Sequence, residues 1–326
     1  MMMPMHLDIV SKCLMGLLTR EDFEYMFHTE DTDFLRDMAR AALSVKRHFF
    51  GETLQVFQPG SIFPAISLTG AECSLHCRHC NKSYLEGMIA ATTPEDLVRE
   101  CLRLQKRGAK GCLLSGGFDA RGRLPIKPFM KAIRQIKEVT GFKLAIHPGL
   151  LDRQAVHALK EAGVDAVCPE IIGEPEVVET VAGLRTTRED YLRVLRFFKK
   201  EGFSRLAPHV CIGLDRGNLS HELSALQVAA QVDPDVLVLI VFTPTKGTAF
   251  QACKPPRSSD VQRVAAIARL MMPATELALG CMRPGGMMRR RIDAAAISAG
   301  VNRIALPAPS AVRNLFVLTR ETCCVM

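Results

Sequence analysis

Phe63-Pro-Ala-Ile-Ser-Leu-Thr-Gly70 runs almost directly into Cys73-Ser-Leu-His-Cys77-Arg-His-Cys80, so a short apolar segment of β type delivers three cysteines into the loop at its end. Outward from this stretch, short apolar runs alternate with amphipathic segments of helical period. The runs predict strands at Ala65–Leu68, Gly111–Leu114, Leu144–Ile146, Ala166–Val167, Val210–Ile212, Val236–Val241, Leu277–Leu279 and Arg303–Leu306. The segments between them predict helices at Pro94–Lys106, Lys127–Val139, Asp152–Ala162, Thr187–Lys200, Ser220–Val232, Ser259–Met271 and Gly286–Ser298. Gly108, Gly141, Gly163, Gly202 and Gly300 follow the last apolar positions of five of these, where a left-handed residue ends a helix. Strands and helices in strict alternation predict parallel βα units with right-handed crossovers. Eight such strands predict an α/β fold of the (β/α)8 TIM-type barrel, full or partial, with its chemistry at the C-terminal ends of the strands.

The chain has 326 residues, 48% hydrophobic and 23% charged, which suffices for a large core and excludes a disordered or collagenous chain. The expected organisation is a helical extension over 1–50, the barrel over 51–306 and a tail over 307–326. The longest apolar run, around Val236 to Phe242, is stopped by Pro234 and Pro244, so no membrane span is expected. Met1 to Val10 has no basic start and meets Asp8 early, which predicts a cytoplasmic protein without a signal peptide. Trp is absent and Tyr occurs three times, so the chain lacks stacking side chains for nucleic acid. The net charge of +8 fits an acidic protein partner, and equally a basic surface that serves solubility.

Twelve cysteines in a cytosolic chain point to metal or catalysis rather than disulfides. Three thiolates spaced Cys-x3-Cys-x2-Cys suit three irons of a 4Fe-4S cube and leave the fourth iron open to a small molecule. Zinc would require a fourth ligand, His76 or His79, and its usual second pair of ligands is missing.

With this triplet after the first barrel strand, the sequence resembles the radical S-adenosylmethionine superfamily. The resemblance implies a 4Fe-4S cluster on Cys73, Cys77 and Cys80. It also implies S-adenosyl-L-methionine chelated to the open iron and cleaved to a 5′-deoxyadenosyl radical. Ser115-Gly116-Gly117-Phe118 stands where the family has Gly-Gly-Glu and contacts the methionine end, with Phe118 departing from the pattern and Asp119 a weak substitute. Cys211-Ile212-Gly213-Leu-Asp215 resembles the adenine-side element, Thr243-Pro-Thr-Lys-Gly-Thr248 a cofactor loop, and His79 holds a position that is often aromatic. His147 and Glu170 are further candidates for cofactor contact, each with a structural rival: a hydrogen-bonded loop histidine and a helix-capping carboxylate. His147 and Arg283 are the candidate catalytic residues. For Arg283, expected to hold an anionic group, the rival is an ordinary salt bridge.

Over roughly Phe63 to Pro307 the resemblance narrows to the biotin-synthase-related group, notably at Leu150–Asp165 and Thr186–Tyr191. Ala145 and Ala207 occupy places where biotin synthase carries cysteines of its second cluster, which disfavours biotin synthesis. Cys211, Cys281, Cys323 and Cys324, with Cys168 in reserve, form an alternative set for a second 4Fe-4S cluster if the tail folds back over the barrel mouth. The rival reading makes them apolar fillers on a frayed tail. Leu279-Gly-Cys-Met-Arg-Pro-Gly-Gly286 and the Cys-Cys tail resemble a group that includes one subunit of the two-component lipoyl synthase. That resemblance implies sulfur insertion into a protein-bound octanoyl chain. The implied partners are reduced ferredoxin or flavodoxin, a second radical subunit and an acidic lipoyl carrier protein, the last suited to the Arg289-Arg290-Arg291 run. The alternatives are a single-cluster mutase or lyase acting on a small amino-acid-like substrate, and a non-catalytic iron-sulfur scaffold.

Overall fold

The computed structural model describes residues 5–326. The first four residues of the expected extension, and of the leader reading at Met1 to Val10, lie outside the described residues. Three helices come first: α1 (Met5–Leu14), α2 (Arg20–His28) and α3 (Thr32–Phe50). Thr19 and Asp22 form a reciprocal capping box at the start of α2, and the Asp31 carboxylate accepts the first backbone N–H groups of α3. Strand β1 (Leu54–Phe57) follows, where no apolar run predicts one.

The eight expected strands are all present: β2 (Ala65–Ser67), β4 (Gly111–Ser115), β5 (Lys143–Ile146), β6 (Ala166–Val167), β8 (His209–Ile212), β9 (Val236–Val241), β10 (Glu276–Leu279) and β11 (Arg303–Ala305). Short β3 (Ile89–Ala90), β7 (Arg205–Leu206) and β12 (Val317–Arg320) complete the set among the described residues. The expected helices are α4 (Pro94–Lys106), α5 (Met130–Thr140), α6 (Arg153–Glu161), α8 (Arg188–Glu201), α9 (Glu222–Ala230), α10 (Ser258–Met271) and α11 (Gly286–Ser298); α7 (Pro175–Ala182) and α12 (Pro309–Val312) are additional.

Every strand pairing is parallel, in two six-stranded sheets ordered β3-β2-β4-β5-β6-β7 and β12-β1-β11-β10-β9-β8. This is the partial (β/α)8 barrel of the radical SAM type. The sheets meet where β7 and β8, one strand interrupted at Ala207-Pro208, pair with β6 on one side and β9 on the other. Pro208 has no N–H to continue the ladder. His209 restores it, donating its N–H to the Pro169 carbonyl at 2.8 Å and accepting from Ile171 N at 2.9 Å. Among the described residues no helix is long and apolar enough to cross a membrane.

The helix layer and outer strand faces form one large apolar core. The N-terminal helices belong to it: α3 packs on α10 and α11. Arg269 of α10 is fully buried beneath them, with its guanidinium over the Phe50 ring and bonds to the carbonyls of Gly300 and Thr275 and to Asn302 Oδ1. A Cβ at Gly300 would meet the Ala42 carbonyl oxygen at 2.6 Å, so α3 approaches this joint as closely as it does only over glycine.

The barrel interior forms a second cluster. Its walls are mostly small: Ala145, Ala166, Ala207, Ala278 and Ala305 point inward, and Phe57 and Phe63 lie at the seam between the sheets. The volume these alanines leave open is taken by the tail, whose Cys324 and Val325 are buried against them with Cys323 and Met326. The tail first adds β12 to the edge of β1. It then turns inward at Glu321, which pairs with Lys110 just before β4, and the Cys324 carbonyl accepts from Arg303 at the start of β11 at 2.8 Å. Both anchors lie at the N-terminal ends of their strands. The tail therefore enters from the end opposite the mouth, where Arg205, Glu276 and Arg303 form an ion-paired floor.

Candidate active site

The loop after β2 carries Cys73, Cys77 and Cys80 at the mouth. The bend after β4 is built against it. Gly117 N donates to Thr69 Oγ1 at 2.6 Å, Ser74 N donates to the Phe118 carbonyl at 2.8 Å, and Phe118 N donates to Cys73 Sγ at 3.3 Å. A Cβ at Gly117 would fall 2.0 Å from the Glu72 carbonyl oxygen and 2.5 Å from Cys73 Cβ, so only glycine lets the bend seat against the cysteine loop. Ser115, Gly116 and Gly117 thus lie in a bend seated beside Cys73. Phe118, the departure from the family pattern, acts through its backbone.

Cys77, His79 and Cys80 bring their ligand atoms within 4.8 Å of one another. Cys77 and Cys80 share a hydrogen bond that raises the Cys77 thiol and lowers that of Cys80, the behaviour of two sulfurs competing for one proton. Burial lowers His79 to about 4, and its Nδ1 has no hydrogen-bond partner. These features fit an electrophilic group at the loop: it would take up the thiolates in place of the shared proton. The Phe118 N–H on Cys73 Sγ is the kind of contact that tunes an iron-sulfur cluster.

The walls around the loop come from other strand ends. The loop after β9 holds Thr243, whose carbonyl accepts from Thr245 Oγ1 at 3.0 Å; Thr245 in turn bonds Tyr84 Oη at 3.2 Å, and Phe250 N donates to the Arg78 carbonyl at 3.2 Å. At the end of β8, Gly213 N donates to Glu222 Oε1 at 2.7 Å, and the buried His221 ring contacts the Cys211 carbonyl at 3.0 Å. Ile212 points into the core, so the adenine-side element presents backbone around Gly213 rather than the Ile212 side chain. Glu170, bridged to His209 through the backbone, keeps its side chain open to solvent, and the crowding of the surrounding walls raises its carboxyl. Its charge reaches Cys77, Cys80, Tyr84 and Cys211, which places it facing the cysteine loop.

The five further cysteines divide. Cys211 belongs to the upper group with Tyr84, Glu170 and Glu222. Cys168 and Cys324 are buried in the interior cluster with Cys323 packed against it and form a lower group inside the barrel, while Cys281 is exposed at the end of β10. Cys168, held in reserve by the sequence reading, thus lies with the tail, and Cys211 does not. Arg283 is a correction to the candidate residues. Its side chain is fully buried, paired to Asp293 at 2.6 Å, and bonded to the Gly280, Ala305 and Leu306 carbonyls, so no donor faces the mouth. The salt-bridge rival describes it.

Sequence reasoning missed Thr69, Glu222 and His209. Thr69 and Glu222 act through backbone N–H groups 48 and nine positions away, which no local pattern displays. His209 had a usable signal: it stands two residues before Cys211 and so shares its strand face.

The sequence model of the Radical SAM superfamily matches residues 68–223. The chain is 25% identical over 300 residues to biotin synthase of Paramagnetospirillum magneticum, covering 87% of this chain and 84% of that protein. It is 22% identical over 258 residues to 3-methylornithine synthase of Methanosarcina barkeri, covering 78% and 71%. Among solved structures, a maturase of the FeFe-hydrogenase superposes with a TM-score of 0.70 at 17% identity, over 92% of this chain and 67% of that one, which speaks for the fold.

Proposed function

The chain is a member of the radical SAM superfamily, and from that premise we propose that it inserts sulfur into a protein-bound octanoyl chain, as a lipoyl synthase subunit. In this reading the bound 4Fe-4S cluster and S-adenosylmethionine supply a 5′-deoxyadenosyl radical that removes hydrogen from an unactivated C–H bond. Cys73, Cys77 and Cys80 hold the cluster. The Gly116-Gly117 bend and Gly213 offer backbone to the cofactor, and Thr243 lines the loop above it. Glu170 offers a carboxylate to the ribose or sulfonium side. His147, deeper in the barrel, orients cofactor or substrate. Closure of the walls around the loop excludes water from a reactive intermediate.

The observation that carries sulfur insertion is the lower group of thiols. Cys323 and Cys324 of the tail pack into the interior cluster that contains Cys168, with Cys281 exposed at the end of β10, and a sulfur donor held there would face the same interior as the radical site. Cys211 is the member of the expected set that lies nearer the first loop. Reduced ferredoxin or flavodoxin, a second radical subunit and an acidic lipoyl carrier are the partners this reading calls for, with Arg289–Arg291 of α11 as the carrier-facing charge.

The test is iron and sulfide content of anaerobically reconstituted protein in which Cys73, Cys77 and Cys80 are all replaced by Ala, paired with product analysis of the intact enzyme. About four irons retained and sulfur in an octanoyl product support the reading. A second reading, a single-cluster mutase on a small amino-acid-like substrate, is favoured by the similarity to 3-methylornithine synthase. It expects no iron in the variant and deoxyadenosine formation with a small amino acid and no sulfur transfer. Failure to form deoxyadenosine at all would leave the non-catalytic iron-sulfur scaffold.

A further inference from the structure

His147, Cys168 and His209 come from three neighbouring strand ends of one wall: the residue after β5, the residue after β6, and the first residue of β8. Their ligand atoms all lie within 4.8 Å of one another, and the two imidazole rings meet edge to face with centroids 5.1 Å apart. His209 Nδ1 lies 2.9 Å from the Ala207 carbonyl. A carbonyl only accepts, so Nδ1 carries the proton and Nε2 keeps a free lone pair. This is the outer hydrogen bond that orients a metal-binding histidine. The interior cluster that holds Cys168 is otherwise mainly alanine, valine and phenylalanine, which offer no competing hydrogen bonds.

The tail supplies what is missing. Cys323 packs, partly buried, against the interior cluster that contains Cys168, and so brings a further thiol to the same wall. Two neutral imidazoles and two thiolates leave a divalent cation without net charge, the condition for holding it in a buried place.

We propose that His147, Cys168 and His209, with Cys323 drawn in from the neighbouring tail as fourth ligand, bind a borderline-soft transition cation through two nitrogens and two sulfurs, either zinc alone or iron within a sulfide-bridged cluster. The inference deepens the reading of a second metal centre in the barrel and rests on it where the metal is iron with sulfide. It puts the two imidazoles in the places that the thiol set gave to Cys281 and Cys324.

The test uses the full chain with Cys73, Cys77 and Cys80 replaced by Ser, loaded anaerobically with zinc alone or with iron and sulfide. Bound metal and sulfide per chain are measured, and X-ray absorption is read at the edge of the retained metal. The expected result is retained metal with both nitrogen and sulfur scatterers, falling at least tenfold in the further double variant H147A/H209N. The carboxamide that H209N introduces keeps a donor for the Ala207 carbonyl, so an unchanged melting temperature separates ligand loss from misfolding, and His209→Cys should restore binding. One zinc retained in place of a sulfide-containing cluster, and lost in H147A/H209N, supports the site and overturns sulfur donation from it. Four irons with sulfide that persist in H147A/H209N overturn the site and leave sulfur insertion standing. No retained metal under either loading overturns both.

Discussion

The two ligand groups differ in how they are built. Cys73, Cys77 and Cys80 share one loop of eight residues, and their geometry is set by local turns and by the bend after β4. His147, Cys168 and His209 come from three strands, with Cys323 of the tail packed beside them, and they are brought together only because the barrel closes around an alanine-lined interior. A site of the first kind is tolerant of global stability and intolerant of its own side chains. A site of the second kind is coupled to the packing of the whole barrel.

The largest expected effect lies in the first group. Replacing Cys73, Cys77 or Cys80 by Ala should abolish deoxyadenosine formation, a loss of at least about a thousandfold by product chromatography, while the melting temperature moves little because the loop carries few core contacts. A large loss of melting temperature would break the contrast. Next, Arg283→Met should cost about 3–5 kcal/mol in denaturant unfolding, because Asp293 would remain buried without its partner. That residue joins β10, β11 and α11, so the interior group's metal content should fall with it while the loop's does not.

Deleting residues 323–326 should cost about 2–5 kcal/mol through the cavity left among Ala145, Ala207 and Ala278, measured by the same unfolding. Reconstituted iron at the loop should be retained, and loss of both metal groups would show that they are not separable. The smallest effect is local: Thr93→Ala removes the hydroxyl that caps α4 by accepting from Asp96 N at 3.1 Å, and should lower stability by about 1 kcal/mol with no change in either metal content.

The same contrast explains what the sequence could disclose. The triplet, the β-type run before it and the glycine bend are contiguous, and α4 and α11 are found at the very residues their apolar period marks. β1 was missed because its partners lie about 250 positions away and Gln55 breaks its apolar run, whereas the apolar run Leu315-Phe-Val-Leu318 that leads into edge strand β12 was read as part of the tail. Arg283 reads from sequence as a free cation beside a cysteine, and only the fold shows Asp293 ten residues on facing it across a helix. His209 was hidden by Pro208, which reads as the end of an element when it is an interruption within one. The destination of the tail could not be read at all, since it depends on five alanines, on four different strands and at the interruption between β7 and β8.

The seam strand also sets an order of events. Strands β2, β4, β5, β6 and β7 pair with neighbours close in the chain, so their sheet can form from residues already synthesised, while β1 waits for β11 and β12, some 250 residues later. Contacts of such long sequence separation form late and slowly. The sheet that carries the cysteine loop can therefore form well before β1 finds its partners and the interior is sealed.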